Sequence, residues 1–591
     1  MKHKTYLPGK DISLEDTVEK ATTLLAAMDL PAEAVSWLNP APNCWSVHIQ
    51  ATGCPQLYTN GKGTSRLASL ASGLGEFFER LSTNLLFTDY YLGEMQSSTP
   101  FHFFPDETWF SPGPGDTVPT SNKFGIELLN PILRSFYDPE GELRASHLCD
   151  NNTDDAGRGI SALPFQSLDN SRTTFFPVSL LNNLYVSNGM AAGNSPAECC
   201  SQALSEIIER YVKNQIIAKG ISLPDVPASH LQKYPRLCSI LDVLTKQRLE
   251  VRVKDASLGG RFPVISVLVA DPDDGGVYAA FGANFRFETA VERTLTELLQ
   301  GRRLDQLRGF QPPCHDLDIV ADPFNLESHF VDSDGLLSWN MFKDKPAFTF
   351  SPWDFAGSTE SEFSRLHLLI GGLGFAIYRA EYLHCGMYSC RMLVPGMSEI
   401  YPIDDLIWNN KGTGALLRPH LLRLPQMSED ELTRVFELLE TIDPGDQQLV
   451  SHIIGVLFDA HSSWSTLRIG ELKALILLAL NKKDAALDWC GWCQEYGGLP
   501  EKRKRLYRLL HTLLCLHGTG SKLDDFTTGL RLFYREKELR EATSIINGEV
   551  KFPGLAFGRT WMEISSEHAR LLEIYQRVNR IKMTGVSLAS D

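Results

Sequence analysis

Three stretches of the chain share one helical cross-section. Take a polar face at positions x, x+4 and x+7. Ser72, Glu76 and Glu79 fill it in GKGTSRLASLASGLGEFFERLSTN, with Arg80 next in line. Gln202, Glu206 and Glu209 fill it in NGMAAGNSPAECCSQALSEIIERYVKN, followed by Arg210. Arg293, Glu297 and Gln300 fill it in FETAVERTLTELLQGRR. The apolar set repeats in step, as Leu74, Phe77 and Phe78, then Leu204, Ile207 and Ile208, then Leu295, Leu298 and Leu299. Residues three and four apart stack on one side of a helix, so each stretch predicts a helix with one core face and one polar face. Gly63 and Ser65 precede the first stretch as Gly193 and Ser195 precede the second, and Pro196 suits a first helical turn. The pattern predicts a duplicated sheet-plus-helix unit with a third helix packed beside it.

Alternation with period two marks strands at Ala34 to Leu38, Trp45 to Ile49, Thr174 to Val178, PVISVLVAD and GVYAAFGA, with DPDDGG as the turn between the last two. Phe375 to Ala380 and Arg391 to Val394 read the same way. Residues 216–262 read as a helical insertion. Residues 93–170 are rich in Pro, Gly, Asp and Asn and read as loops with short strands, long enough to suggest a lid or binding loop. Asp150 to Asp155 lacks the terminal Glu of a calcium loop and reads as a surface turn. Beyond residue 416, helix-length apolar patterns follow one another, as in ELTRVFELLETI and RKRLYRLLHTLLCL. Paired helices of this kind are tetratricopeptide-like, without a clean repeat of roughly 34 residues. The expected fold is α+β over residues 1–415, then an all-helical domain over 416–591 whose surface would dock a partner.

Composition narrows the choices. The chain has 591 residues and a formal net charge of −16, which argues against direct nucleic-acid binding or membrane-surface binding. The longest apolar run, Ala474 to Leu480, is too short to span a bilayer, and MKHKTYLPGKD leads into no signal-like segment. A cytoplasmic location with reduced thiols is expected. Cys490-Gly491-Trp492-Cys493 has the spacing of a redox pair but lies in a helical pattern, so packing is its expected role.

If the three helices pack on a shared sheet, Glu76, Glu79, Glu206, Glu209 and Glu297 meet in one cleft. Like charges raise one another's pKa, so such a cluster calls for a cation. Oxygen-only ligands favour Mg2+, which commonly arrives with phosphate, and Arg80, Arg210 and Arg293 suit phosphate oxygens. GKGTS is not a Walker loop: position 56 is Gln and Lys62 is followed by Gly63.

These residues resemble the three ATP-binding motifs of the YcaO family. They run as Ser72-x3-Glu76-x2-Glu79-Arg80, then SNGMAAG to Glu198 and Glu206-x2-Glu209-Arg210, then Arg293-x3-Glu297-x2-Gln300. The likeness extends through LPGKDISLEDT, WLNPAPNCWSVHI, DASLGGRFPVI, LVPGMSEIYP and WSTLRIGELKA, so it covers the chain past residue 480. It implies ATP and Mg2+ as cofactors, with Glu76, Glu79, Glu206, Glu209 and Glu297 on the metal. It implies Lys10, Thr17, Ser72, Ser187, Asn194, Glu198, Arg210, Arg293 and Gln300 on ATP. Thr17 keeps the hydroxyl of the family's Ser, whereas Ala191 replaces a Ser of some relatives, and one nucleotide hydrogen bond is expected to be missing there.

Family members commonly use ATP to activate a backbone amide. The azoline-forming ones end in a Pro-x-Pro-x-Pro tail, and this sequence ends TGVSLASD. The long enterobacterial members, which it resembles most, assist the radical enzyme RimO in methylthiolating an aspartate of a small-subunit ribosomal protein. That resemblance implies an accessory factor, a RimO-type enzyme or the ribosomal protein as partner, and a homodimer. Two alternatives stand beside it: an ATP-hydrolysing enzyme that activates peptide amides for thioamide or azoline formation, and a non-catalytic ATP-binding scaffold.

Overall fold

Each polar-faced helix grows out of an edge strand. The computed structural model describes residues 4–93, 101–149, 158–408, 412–519 and 523–586. The meander β1 (Ala32–Ala41), β2 (Cys44–Ala51) and β3 (Cys54–Gly63) feeds the first motif helix, Arg66–Ser82. Strands β4 (Thr108–Phe110), β5 (Ile160–Ser167), β6 (Thr173–Pro177) and β7 (Met190–Gly193) follow, and β7 feeds the second motif helix, Pro196–Lys219. A second meander, β8 (Glu250–Asp255), β9 (Val264–Ala270) and β10 (Val277–Ala283), feeds the third, Phe287–Leu298. Strands β11 (Tyr378–Tyr382) and β12 (Tyr388–Leu393) then return to the middle sheet, ordered β4-β5-β11-β12-β7 with β6 on β5.

The three helices therefore do not share one sheet, as the sequence reading supposed. Each follows the edge strand of its own antiparallel run: β1-β2-β3, β11-β12-β7 and β8-β9-β10. The middle run is closed by β11 and β12, which lie far downstream of β7 in the chain, so no local pattern announces it. Strands β3 and β8 went unread as well. The first lies under the GKGTS motif, and the second closes what reads as a helical insertion.

Local chemistry explains the repeated strand-to-helix joint. Ser65 Oγ accepts the Ala68 N–H at 3.1 Å, and Ser195 Oγ accepts the Glu198 N–H at 3.2 Å. Each serine thus caps one of the unpaired amides at a helix start. All nine apolar positions of the repeated set are buried. The first helix packs with Val47, Ile49 and Leu57, the second with Phe281, Cys390 and Met392, and the third with Ile265, Val267 and Val269.

The described part of residues 93–170 builds a separate core of Phe103, Phe104, Phe110, Leu128 and Leu133 against β5, β6 and β11. None of its described residues lines the cleft discussed below. The aspartate-rich turn at 150–155 lies outside the described residues.

The C-terminal part is a succession of helices. Ile469–Ala479, Lys483–Glu495, Glu501–Gly518 and Glu536–Ile546 pack around one core. Cys490 and Cys493 are buried in it, and burial pushes the Cys490 thiol up to about 12. The last helix, Ser566–Thr584, leaves this group. Its Leu571, Leu572, Tyr575 and Val578 enter the core of the first meander beside Phe77 and Phe78.

Candidate functional site

The polar faces of the three motif helices converge on a cleft of about 520 Å³. Its walls include Ser72, Glu76, Glu79 and Arg80 from the first helix, Glu198, Gln202, Glu206 and Arg210 from the second, and Arg293 and Glu297 from the third, with Gln300 in the turn just past its end. Ser187, Asn194, Thr17 and Lys10 complete it from the flanking loops and the N-terminal segment. Every residue singled out in the sequence lines this cleft except Glu209. That side chain turns toward the third unit, where its Oε2 accepts the Ala283 N–H at 2.9 Å. It ties the second helix to the strand that launches the third.

The acids are not a bare cluster. Glu76 pairs with Arg80 at 2.5 Å, Glu206 pairs with Arg210 at 2.9 Å, and Glu297 contacts Lys62. Among the described residues, no three acidic, His or Cys side chains stand close enough to form a ready metal-ligand set. The expected gathering of five carboxylates around one point is thus four lining acids, three of them paired with a cation, plus Glu209 beside them. An acid facing an arginine one turn along its own helix forms that pair at little cost in side-chain ordering.

Charge still accumulates. Burial, then Glu206 and Glu76, push the Glu79 carboxyl well above the usual range. Burial raises Glu206 too, against the pull of Arg210. Burial and the nearby Arg293 hold Lys62 down to about 8. Glu292, at another edge of the cleft, is pushed up to about 7 by burial and Glu288.

Five polar atoms of cleft-lining residues are buried without a hydrogen-bond partner: Asn194 Oδ1, Glu362 Oε1, Arg80 Nε, Arg210 Nη1 and Arg293 Nε. Buried polar atoms are nearly always satisfied in folded proteins, so five around one cleft fit a polar ligand. Three of the five are guanidinium nitrogens, which suit an anion.

The chain belongs to the YcaO family. The family model described as YcaO cyclodehydratase, ATP- and Mg2+-binding, matches residues 60–398, and its C-terminal domain matches 414–584. The ribosomal protein S12 methylthiotransferase accessory factor YcaO of Escherichia coli is 41% identical over 98% of this chain and 99% of its own. An uncharacterized protein of Haemophilus influenzae is 39% identical over 98% of this chain and 99% of its own. Among solved structures, YcaO from Methanopyrus kandleri bound with AMPPCP and Mg2+ is 16% identical, covers 67% of this chain and 95% of its own, and has a TM-score of 0.40.

Ala191 and Lys62 depart from the sequence expectation. Ala191 is fully buried in the core, and its neighbour Ala192 lines the cleft instead. Successive strand residues point to opposite faces, so the methyl of Ala191 removes no hydroxyl from the cleft. Lys62, dismissed with the false Walker motif, stands at the end of β3 inside the cleft. The Walker rejection holds, because Gly61 and Gly63 are strand residues pressed on the first helix. Glu362, on the helix Thr359–Gly372, also lines the cleft, and its distance in sequence left no signal.

Proposed function

We propose that the cleft takes up Mg2+·ATP and that the protein is an accessory factor for β-methylthiolation of an aspartate on ribosomal protein S12, acting with a RimO-type radical methylthiotransferase. The cleft itself carries the first half of this reading: carboxylates and unsatisfied guanidinium nitrogens face one another from three helices. The end-to-end relation to the Escherichia coli accessory factor supports the second half.

Glu76, Glu79, Glu206 and Glu297 would hold the metal, with Glu209 joining through the oxygen not bonded to Ala283. Arg80, Arg210 and Lys62, each paired with one of these acids, would supply positive charge beside the bound phosphates. Arg210, Arg293, Lys10 and Asn194 would contact the nucleotide, with Thr17, Ser72, Ser187 and Gln300 in support. Thr17 Oγ1 accepts from Asn194 Nδ2 at 3.2 Å, and Gln300 Nε2 donates to Asn60 O at 3.1 Å, which fixes their directions. Glu198 bonds Lys10 at 3.1 Å and reaches Asn194 Nδ2 at 3.4 Å, so it would orient both. Mg2+ would neutralise phosphate charge.

Mass spectrometry of the S12 aspartate in a strain lacking this gene tests the role, and unmodified aspartate is expected. Complementation with Glu206→Gln should fail although the variant folds, with Mg2+·ATP affinity lowered by ~100-fold, as loss of an ionic ligand implies. Full complementation by Glu206→Gln would leave a scaffold. A second reading, ATP-driven amide activation, is favoured by the cyclodehydratase description of the family. Phosphate release that requires an added peptide would support it.

A further inference from the structure

The N-terminal segment lines part of this cleft as a short closed loop. Leu7-Pro8-Gly9-Lys10 forms a β-turn: the Lys10 N–H donates to Leu7 O at 3.2 Å, and Gly9 has φ +73°. Proline at the second position and a positive-φ glycine at the third define a type II turn. The Leu14 N–H donates to Thr5 O at 2.9 Å and closes the base of the loop, and Lys4 pairs with Asp16 at 2.8 Å. Lys10 stands on the cleft side of this loop, and Asp11 holds the loop from its other side.

Asp11 lies where two helices begin. Its carboxylate accepts from Ser195 Oγ, the cap of the second motif helix, and from Thr359 Oγ1 at 2.9 Å, at the start of the helix Thr359–Gly372. Its own N–H donates to Glu198 Oε2 at 3.1 Å, while Lys10 Nζ holds Oε1 of the same carboxylate. A carboxylate beside two helix N-termini is favoured by both sets of exposed amides and dipoles. Asp11 thereby joins three segments that are distant in sequence. Lys10 has a long flexible side chain, and its place over the cleft depends on the backbone that Asp11 fixes.

We infer that Asp11 is a positioning residue for the nucleotide: it pins the 5–14 loop to the N-termini of two helices and so sets Lys10 over the phosphate end of the cleft. This rests on the Mg2+·ATP reading above. Pinning in advance lowers the ordering cost of binding, so its loss weakens affinity without removing any direct contact.

Calorimetry of the full-length protein with Mg2+ and a non-hydrolysable ATP analogue tests it. Asp11→Ala should lower affinity three- to tenfold while the protein stays folded at the assay temperature. The double variant with Lys10→Ala should bind no more weakly than Lys10→Ala alone, because without the ammonium there is nothing left to position. Thr359→Val removes only one donor to Asp11 and should lower affinity about twofold, which keeps the test open if Asp11→Ala folds poorly. Wild-type affinity in Asp11→Ala and Thr359→Val, or losses that add fully in the double variant, would overturn the inference alone. No analogue binding by the wild-type chain would overturn the nucleotide reading and this inference with it.

Discussion

At the scale of single residues, Glu79 makes the cleft sensitive to pH. Burial and two neighbouring glutamates raise its folded pKa above the unfolded value. The folded chain therefore keeps a proton that the unfolded chain has already lost. The associated stability is fully present below the ordinary glutamate range, about 4.3, and is lost as pH rises toward the folded value. Glu206 acts in the same direction. Lys62, held down to about 8, acts differently: its penalty is already complete below that pH. Three histidines that burial holds below their usual range, His329, His384 and His568, act the opposite way up to about pH 6.5, so the acid is read from the difference between wild type and variant. From about pH 5 to 7.5 the melting temperature of the nucleotide-free wild type should fall relative to that of Glu79→Gln. Glu79→Gln should melt higher near pH 7.5, yet lose the stabilisation that Mg2+ and an ATP analogue give the wild type. A difference that stays constant across this window would show that the acid is not its source.

At the scale of elements, the strand-to-helix joint is what repeats, and glycines make it possible. A Cβ on Gly61 would lie 2.0 Å from Ser69 O and 2.5 Å from Gly73 N, both backbone atoms of the first motif helix. On Gly193 it would meet Cys199 N at 3.1 Å, in the first turn of the second. The helices ride this close to their strands, which carries their polar faces outward to a common cleft. Gly61→Ala should cost about 3 kcal/mol or more, since neither backbone can yield without shifting the helix. Gly75→Ala, on the same helix with nothing within 4 Å of the added methyl, should instead stabilise by up to about 1 kcal/mol. Urea titrations of the two variants give the comparison.

At the scale of the whole molecule, the last helix binds the two halves together. Leu571, Leu572, Tyr575 and Val578 are all buried in the core that holds the first motif helix. Tyr575 also donates to His102 O, and Lys582 Nζ donates to Phe103 O at 2.7 Å. Four such side chains are worth on the order of 10 kcal/mol, comparable with the stability of a whole domain. A chain ending at residue 565 should therefore lose the folded YcaO core as well as its own C-terminal packing. It should appear insoluble or without a cooperative melt, and a soluble fragment with a normal melt would contradict this. Removing residues 416–591 is accordingly no clean test of a docking role.

The sequence by itself determined the three helices, their buried faces and, Glu209 and Glu292 apart, the acids and arginines that those helices bring to the cleft. Helical periodicity is local, and the carboxylates and arginines sit at fixed steps along it. Ser65 and Ser195 were legible for the same reason, since a cap acts within three residues. Only the tertiary structure decided which sheet each helix follows, because β11 and β12 pair with β5 and β7 across long separations that no local period records. It alone turned Glu209 onto the Ala283 amide, put Lys62 beside Glu297, set Asp11 on the caps of two helices and brought Glu362 to the cleft. Those placements depend on how whole elements cross, and the crossing is set by close backbone contact and by a terminal helix that returns to the first core.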